Sequence, residues 1–366
     1  MTRSTILRLR GLWFQVHKWI GLSLAILIIP ISISGAALVW HDWLDETINP
    51  QRYAVTGEAA LGPAAYAAAA QAALGPGERI ASIRYPEHGR GPVVVAAVRP
   101  GKGRPVRTNV WLDPGSARLL DAASADAGTV RFLHVLHGSL AMPGWGRTIV
   151  GWVGLFMFVS CLTGLWLWWP LTGSLRRGWR WKRQNSANAN LHHLVGFWVL
   201  LPLAMLSFTG AWISFPGLFG GPERPRAAPA SPLAETAMTA DSALALARAG
   251  AGGAPRTIGW PTDRSPTWRI AFARAGGGAA EVEVDDGTGA VKPPPAPPPE
   301  TYARLMRRLH DGTGMGAVWQ IVIFLGGIIP AILAVTGIVM WLRSRGWRAA
   351  LAKKRKAGRL ALQPAE

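Results

Sequence analysis

Four long apolar stretches constrain this chain more than any other feature of its sequence. They cover residues 19–40, 148–169, 194–215 and 317–342, and none of them contains Asp or Glu. Each has the roughly 20 apolar residues that an α-helix needs to cross a bilayer. The composition agrees, because 49% of the residues are hydrophobic and only 16% are charged. We therefore expect a membrane protein with four spans in contact with lipid.

The net charge of +19 is explained by where the basic residues lie. Residues 1–18, 171–190 and 343–366 together hold 17 Lys and Arg but one acidic residue, whereas 41–147 and 216–316 together hold 22 basic and 19 acidic residues. The positive-inside rule then predicts cytoplasmic termini, and the charge gives no reason to invoke a nucleic-acid partner. We interpret the first span as an anchor, because its apolar run is longer than the core of a cleaved signal peptide.

The order of the segments repeats along the chain. VHKWIG at 16–21 returns as LHHLVG at 191–196, and CLTGLWLWW at 161–169 returns as AVTGIVMWL at 334–342. The loops match as well, since WLDPGSA at 111–117 resembles EVDDGTG at 283–289. All these offsets lie between 172 and 175 residues. The pattern predicts two copies of one unit, in which a span, an outer domain and a second span follow one another.

The predicted fold is a mainly α membrane protein, a four-helix bundle built from a tandem two-helix repeat, with two small outer α+β domains. Each outer domain has an Ala-rich helix followed by short alternating apolar runs, for which we expect one helix over three antiparallel strands. The expected segments are 1–41 (cytoplasmic segment and span 1), 42–130 (outer domain 1), 131–170 (interfacial helix and span 2), 171–190 (cytoplasmic loop), 191–216 (span 3), 217–300 (outer domain 2), 301–342 (interfacial helix and span 4) and 343–366 (basic cytoplasmic tail).

Four of the eight histidines occupy repeated positions. His17 and His192 stand 18 residues before Gly35 and Gly210; His137 and His310 stand 27 residues before Gly164 and Gly337. The topology predicts two facing pairs, His17 with His192 near the inner surface and His137 with His310 near the outer one. Two neutral imidazoles on rigid helices are the axial ligands that a low-spin b-type haem needs, so we expect two haem groups.

Other interpretations of these residues remain open. A single histidine near a membrane surface is commonly an interfacial polar residue, and the glycines, each preceded by Ser or Thr, also suit ordinary helix packing. Non-haem metals and proton relays usually need carboxylates, which the spans lack. The single Cys161 lies in an apolar run, where we expect packing alone.

Several neighbouring residues are further candidates. His134 lies one helical turn before His137 and could replace it as a ligand. His193 adjoins His192 but points elsewhere on a helix, and His41 closes the first span without a repeated counterpart, which leaves its role open. Arg147 and Arg307 suit charge-assisted hydrogen bonds to the propionates of the outer haem.

These membrane motifs resemble the PepSY-associated transmembrane family. The resemblance rests on the histidine–glycine pattern of spans 1 and 3, on LHG at 136–138 and LHD at 309–311, and on TG-x-x-x-W-W at 163–169. The family includes inner-membrane ferric-siderophore reductases of Gram-negative bacteria. The resemblance therefore implies a bacterial inner-membrane oxidoreductase with periplasmic outer domains, which carries electrons through two haem b groups to a ferric siderophore. By position it implies His17, His192, His137 and His310 as the iron ligands.

The sequence leaves the electron donor and the substrate open. It contains no G-x-G-x-x-G nucleotide fingerprint, so electrons would come from a membrane quinol or a cytoplasmic reductase. One alternative function is a haem-free sensor that regulates proteases or binds peptides. Another is a haem-bearing, quinol-linked electron-transfer protein unrelated to iron uptake.

Overall fold

The computed structural model describes residues 3–87, 89–101, 105–169, 186–219, 230–274, 278–294 and 300–360. Of the predicted cytoplasmic loop 171–190, only residues 186–190 fall within these ranges. The chain divides into two compact units, one made of long helices and one built on a β-sheet. We call them the membrane unit and the sheet unit.

Four long helices form the membrane unit. They are α1 (Arg3–Leu38), α5 (Gly146–Trp168), α6 (Ala187–Ser214) and α9 (Gly316–Leu360). All four are long and apolar enough to cross a membrane, which confirms the four predicted spans. Each contacts the next around the bundle in the order α1, α5, α6, α9, and α9 returns to α1. Large apolar side chains such as Ile26 and Leu201 are more than three-quarters exposed on the helix surfaces, as lipid-facing residues should be.

Two short helices precede the second and fourth spans. α4 (Thr129–Ser139) comes before α5, and α8 (Tyr302–Asp311) comes before α9. Thr301 caps α8 by accepting a hydrogen bond from the Arg304 amide, and Gly312 ends it in the left-handed conformation. α8 packs on α6 and α9. These short helices carry the LHG and LHD motifs.

The sheet unit contains eight antiparallel strands in one sheet. The strands are β1 (Arg79–Arg84), β2 (Val93–Arg99), β3 (Val106–Leu112), β4 (Leu119–Ser124), β5 (Pro255–Gly259), β6 (Thr267–Ala273), β7 (Ala279–Asp285) and β8 (Val291–Lys292). Their order is β4-β3-β2-β1-β5-β6-β7-β8. The unit also contains α2 (His41–Ile48), a 3-10 turn (Pro50–Tyr53), α3 (Pro63–Gln71) and α7 (Ala240–Ala247). Alternate strand residues pack with α3 and α7 in a core that includes Tyr66, Ile83 and Trp268.

The sheet differs from the prediction in two respects. Each half supplies four strands rather than three, because WLDPGSA and EVDDGTG are hairpin turns that lead into β4 and β8. The two halves also share one sheet instead of forming two domains. β1 pairs with β5, and Ile83 lies opposite Ile258. This pairing satisfies backbone groups that two separate sheets would leave open along their edges.

Candidate functional site

The membrane unit brings the four repeated histidines together as two facing pairs. The ring centres of His17 on α1 and His192 on α6 lie 6.4 Å apart, with the ring planes at 85°. The ring centres of His137 on α4 and His310 on α8 lie 6.0 Å apart, with the planes at 36°. Each pair joins the first half of the chain to the second. We call them the inner pair (His17, His192) and the outer pair (His137, His310).

Each histidine ring lies against one of the repeated glycines. A Cβ atom added to Gly35 would be 2.6 Å from Cε1 of His137, and one added to Gly210 would be 3.0 Å from Cε1 of His310. A Cβ atom added to Gly164 would be 3.2 Å from Cε1 of His17, and one added to Gly337 would be 3.8 Å from Cε1 of His192. The glycines therefore make room for imidazole rings, which the sequence analysis did not foresee.

Every Nδ1 atom of the four histidines has a hydrogen-bond partner on a neighbouring span. Nδ1 of His17 lies 3.1 Å from the Ser160 carbonyl oxygen and 3.0 Å from Thr163 Oγ1. The partner of His137 is the Ile31 carbonyl oxygen, at 2.9 Å. His192 and His310 each have a threonine Oγ1 at 3.0 Å, from Thr336 and Thr209 respectively. With Nδ1 engaged in this way, Nε2 remains for a ligand.

Burial keeps the outer pair neutral. It lowers the pKa of His137 below the ordinary histidine value, and the nearby His134 adds to this effect. Burial also lowers the pKa of His310, to about 4, with a further contribution from His137. A neutral imidazole has the lone pair that a metal ligand requires. The outer pair is therefore in the ligating protonation state at neutral pH.

The spacing of both pairs fits two imidazoles that share one metal ion. Such rings are separated by two metal–nitrogen bonds of about 2 Å each plus the distance from each nitrogen to its ring centre, which agrees with 6.0 and 6.4 Å. Within the described ranges, no group of three or more His, Cys, Asp or Glu side chains could hold a bare metal ion. A haem supplies four nitrogen ligands itself and needs only two from the protein, so these donor pairs fit it.

The structure distinguishes the other histidine candidates. His134 is exposed on α4, whereas His137 faces His310. His193 stacks on Trp168, with ring centres 6.1 Å apart, whereas His192 faces His17. His41 begins α2 in the sheet unit, where its Nε2 lies 3.2 Å from Asp42.

The predicted arginines lie on two helices of the membrane unit. Arg147 is on the first turn of α5 and donates a hydrogen bond to the Ile213 carbonyl at the end of α6. Arg307 is exposed on α8, three residues before His310. Their contact with propionates stays a prediction.

Sequence reasoning missed two sets of polar contacts in this unit. Arg10 of α1 donates to the Trp166 and Trp169 carbonyls at 3.3 and 2.8 Å, and also to the Leu167 carbonyl, so it caps the last turn of α5. The second set consists of the hydrogen bonds between histidines and the three threonines Thr163, Thr209 and Thr336. Their signal was present in the repeated Thr-Gly pairs, but spacing alone did not show which histidine each threonine meets.

The sheet unit contains an open groove of about 520 Å³. Both halves of the chain line it, through residues 58–63, 85–87 and 89 on one side and through α7 and the start of β5 on the other. Its charged side chains are Glu58, Glu87, Asp241 and Arg248. The groove is therefore acidic overall.

Comparison with family models identifies the family of this chain. No curated protein matches the sequence significantly. The family model described as the PepSY-associated TM region matches residues 14–344, which include the four apolar stretches of the sequence, both histidine pairs and the whole sheet unit. The chain therefore belongs to the PepSY-associated transmembrane family.

Proposed function

We propose that this protein is a haem b oxidoreductase of the bacterial inner membrane, which passes electrons across the bilayer to reduce ferric siderophores in the periplasm. The observation that carries the proposal is the presence of two facing histidine pairs with the spacing of shared axial ligands. Cytoplasmic termini and periplasmic outer segments follow from the distribution of basic residues. The tandem repeat is part of the proposal, because each pair takes one histidine from each half.

The two pairs occupy different levels of the bundle. His17 and Gly35 both lie on α1, 18 residues apart, and Gly35 contacts His137 of the outer pair. At 1.5 Å per residue this interval spans about 27 Å, close to the thickness of the hydrocarbon core. One pair thus serves each side of the membrane.

The protein's own residues hold, orient and shield the cofactor. When bound, haem supplies one-electron exchange between ferric and ferrous iron. His17 with His192, and His137 with His310, would each hold one haem through two imidazole nitrogens. The apolar spans keep water away from these nitrogens. A quinol or a cytoplasmic reductase would donate the electrons.

The groove of the sheet unit is the proposed docking place for the substrate, since both halves of the chain line it. Each ferric ion accepts one electron and becomes ferrous. Hard oxygen donors such as hydroxamate or catecholate hold the ferrous ion less tightly, so the chelate releases it.

A visible spectrum of the purified protein tests the cofactor assignment. We expect a Soret band that sharpens on reduction and two haem groups per chain. Replacement of His192 by Ala should remove one haem, whereas the matched substitution His193→Ala should leave both. Colourless protein from haem-replete cells would contradict the proposal and favour the haem-free sensor of proteases or peptides.

The substrate is tested separately. The reduced protein, mixed anaerobically with a ferric siderophore, should be re-oxidised. A ferrous-iron chelator should then detect one ferrous ion for each haem that is re-oxidised. A haem protein that quinone analogues oxidise but ferric siderophores do not would be a quinol-linked electron carrier unrelated to iron uptake.

A further inference from the structure

Three buried threonines precede the repeated glycines and bond to the proposed iron ligands. In each case Oγ1 lies 3.0 Å from Nδ1 of a histidine. All three are at most 7% exposed. The pairs are Thr163 with His17, Thr209 with His310, and Thr336 with His192.

The direction of these hydrogen bonds follows from counting protons. Oγ1 of Thr163 donates to the Ser160 carbonyl at 3.0 Å, and Oγ1 of Thr336 donates to the Leu333 carbonyl at 3.0 Å. Thr209 likewise donates to the Met205 carbonyl at 2.8 Å. A hydroxyl has only one proton, so a threonine that donates it to the backbone carbonyl accepts from the histidine. In this arrangement Nδ1 carries the proton, and the lone pair is left on Nε2.

The Ser160 carbonyl supports the same assignment for His17. It lies 3.1 Å from Nδ1 of His17, and a carbonyl oxygen has no proton to donate. Both acceptors around this nitrogen therefore require an Nδ1–H group.

The fourth position of the pattern works differently. Ser34 precedes Gly35, and its Oγ donates to the Pro30 carbonyl at 2.6 Å. Nδ1 of His137 donates instead to the Ile31 carbonyl, at 2.9 Å. At this position the acceptor is a backbone carbonyl, and no threonine hydroxyl stands before the glycine.

We propose that Thr163, Thr209 and Thr336 are positioning residues for the iron ligands, which rests on the proposed haem function. Each threonine accepts the Nδ1 proton of its histidine, at His17 together with the Ser160 carbonyl, and so favours the tautomer whose Nε2 lone pair would be available to the iron. Each also increases the basicity of its ligand by accepting that proton in a hydrogen bond. Ser34 is not assigned this role, because its Oγ donates to backbone carbonyls, that of Pro30 at 2.6 Å and that of Ile31 at 3.1 Å.

A variant without the hydroxyl should weaken one site and leave the other unchanged. Val keeps the branched shape of Thr but cannot accept a hydrogen bond. Loss of a partner to the ligating histidine typically weakens metal binding by about 10-fold or more. A less basic imidazole stabilises ferric iron less, so the midpoint potential of that site should rise.

The experiment compares Thr336→Val with Thr336→Ser in the full-length, haem-loaded protein. Spectroelectrochemistry follows both haem groups, and His192→Ala identifies the inner one. For Thr336→Val we expect a positive shift of the inner potential, an unchanged outer potential, and about 10-fold faster haem loss to apomyoglobin from the inner site. Thr336→Ser, which retains a hydroxyl, should behave like the wild type.

Ser34→Ala is the matched control, because it removes a hydroxyl from the corresponding position of the outer site. It should shift neither potential. Unchanged potentials and haem loss in Thr336→Val would overturn the inference, as would an equal shift of the outer potential in Ser34→Ala. Loss of both haem groups in Thr336→Val would also count against it, since a positioning role affects one site. Wild-type protein without haem would instead refute the proposed function itself.

Discussion

The two halves of the chain resemble each other closely in the membrane unit and less closely in the sheet unit. In the membrane unit, a histidine lies against a glycine at all four repeated positions, and three of the four histidines bond to a threonine. In the sheet unit, the carboxylates that hold corresponding loops stand at different positions of the two halves. Under the proposed function, iron ligation constrains the histidine arrangement in both halves, whereas equivalent positions of the sheet unit can differ in sequence.

The carboxylates beneath the hairpin turns illustrate this freedom. Backbone hydrogen bonds place Asp113 and Asp285 at the same position of their turns. The amide of each donates to the carbonyl of the residue five positions later, Arg118 and Ala290 respectively. The side chain of Asp113 holds the loop before α3 by accepting from the Thr56 amide at 2.6 Å. In the second half Asp286, one residue later, holds the loop before α7 by accepting from the Ala237 amide at 2.8 Å.

Replacing a histidine of the outer pair should have the largest effect. His137→Ala removes one of the two imidazoles that face each other at 6.0 Å, so we expect loss of one haem per chain. His134→Ala is the control, and haem content by pyridine haemochrome assay should remain at the wild-type value. Full haem content in His137→Ala together with a loss in His134→Ala would transfer the ligand role to His134.

The glycines give a graded test within the same unit. A Cβ at Gly35 would lie 2.6 Å from Cε1 and 2.8 Å from Nδ1 of His137, which is too close, so the ring must shift. A Cβ at Gly337 would lie 3.8 Å from His192, an ordinary contact. We expect Gly35→Ala to weaken haem retention at the outer site by about 10-fold, as loss of ligand orientation does, and Gly337→Ala to leave the inner site unchanged.

Helix propensity makes this comparison sharper. Alanine favours a helix by about 1 kcal/mol over glycine, so both substitutions should stabilise the isolated spans. A defect in Gly35→Ala alone therefore reports on the histidine contact rather than on the helix. Equal haem loss in the two variants would show that the clearance beside the ring does not determine ligand orientation.

The sequence predicted the four spans, because lipid requires long apolar helices. Which glycine meets which histidine was not predictable: His17 precedes Gly35 on one helix, yet across the bundle His17 meets Gly164 and Gly35 meets His137. Such contacts depend on helix packing rather than on spacing along the chain. The choice between His134 and His137 likewise depends on how α4 is rotated.

The strand count of the sheet was underestimated for a different reason. β8 has only two residues, and β4, LLDAAS, lacks the alternation of apolar and polar residues that predicts a strand. The pairing of β1 with β5 joins residues about 175 positions apart, as Ile83 and Ile258 illustrate. No local pattern encodes a contact of that separation.

The smallest expected effect concerns the sheet unit and should leave the haem groups untouched. Asp113 is inaccessible to solvent, and Thr56 and Ser116 donate hydrogen bonds to it. Asp113→Asn removes one acceptor oxygen from these buried donors and should lower the free energy of unfolding by about 1–3 kcal/mol. Thermal denaturation followed by circular dichroism would detect the change. Asp285→Asn is the control, because its carboxylate bonds only within its own turn, to Gly287 and Thr288.

The pH dependence of the same variant separates charge from packing. Burial alone would raise the pKa of Asp113, but the hydrogen bonds from Ser116 and Thr56 together hold it below the ordinary value. The folded-state pKa is therefore lower than the unfolded one, so this stabilisation is present above about pH 4 and is lost as the pH falls through the folded-state pKa. The difference in stability between wild type and Asp113→Asn should accordingly shrink in acid. An undiminished difference would mean that the amide disturbs the shape of the loop rather than its hydrogen bonds to a charged acceptor.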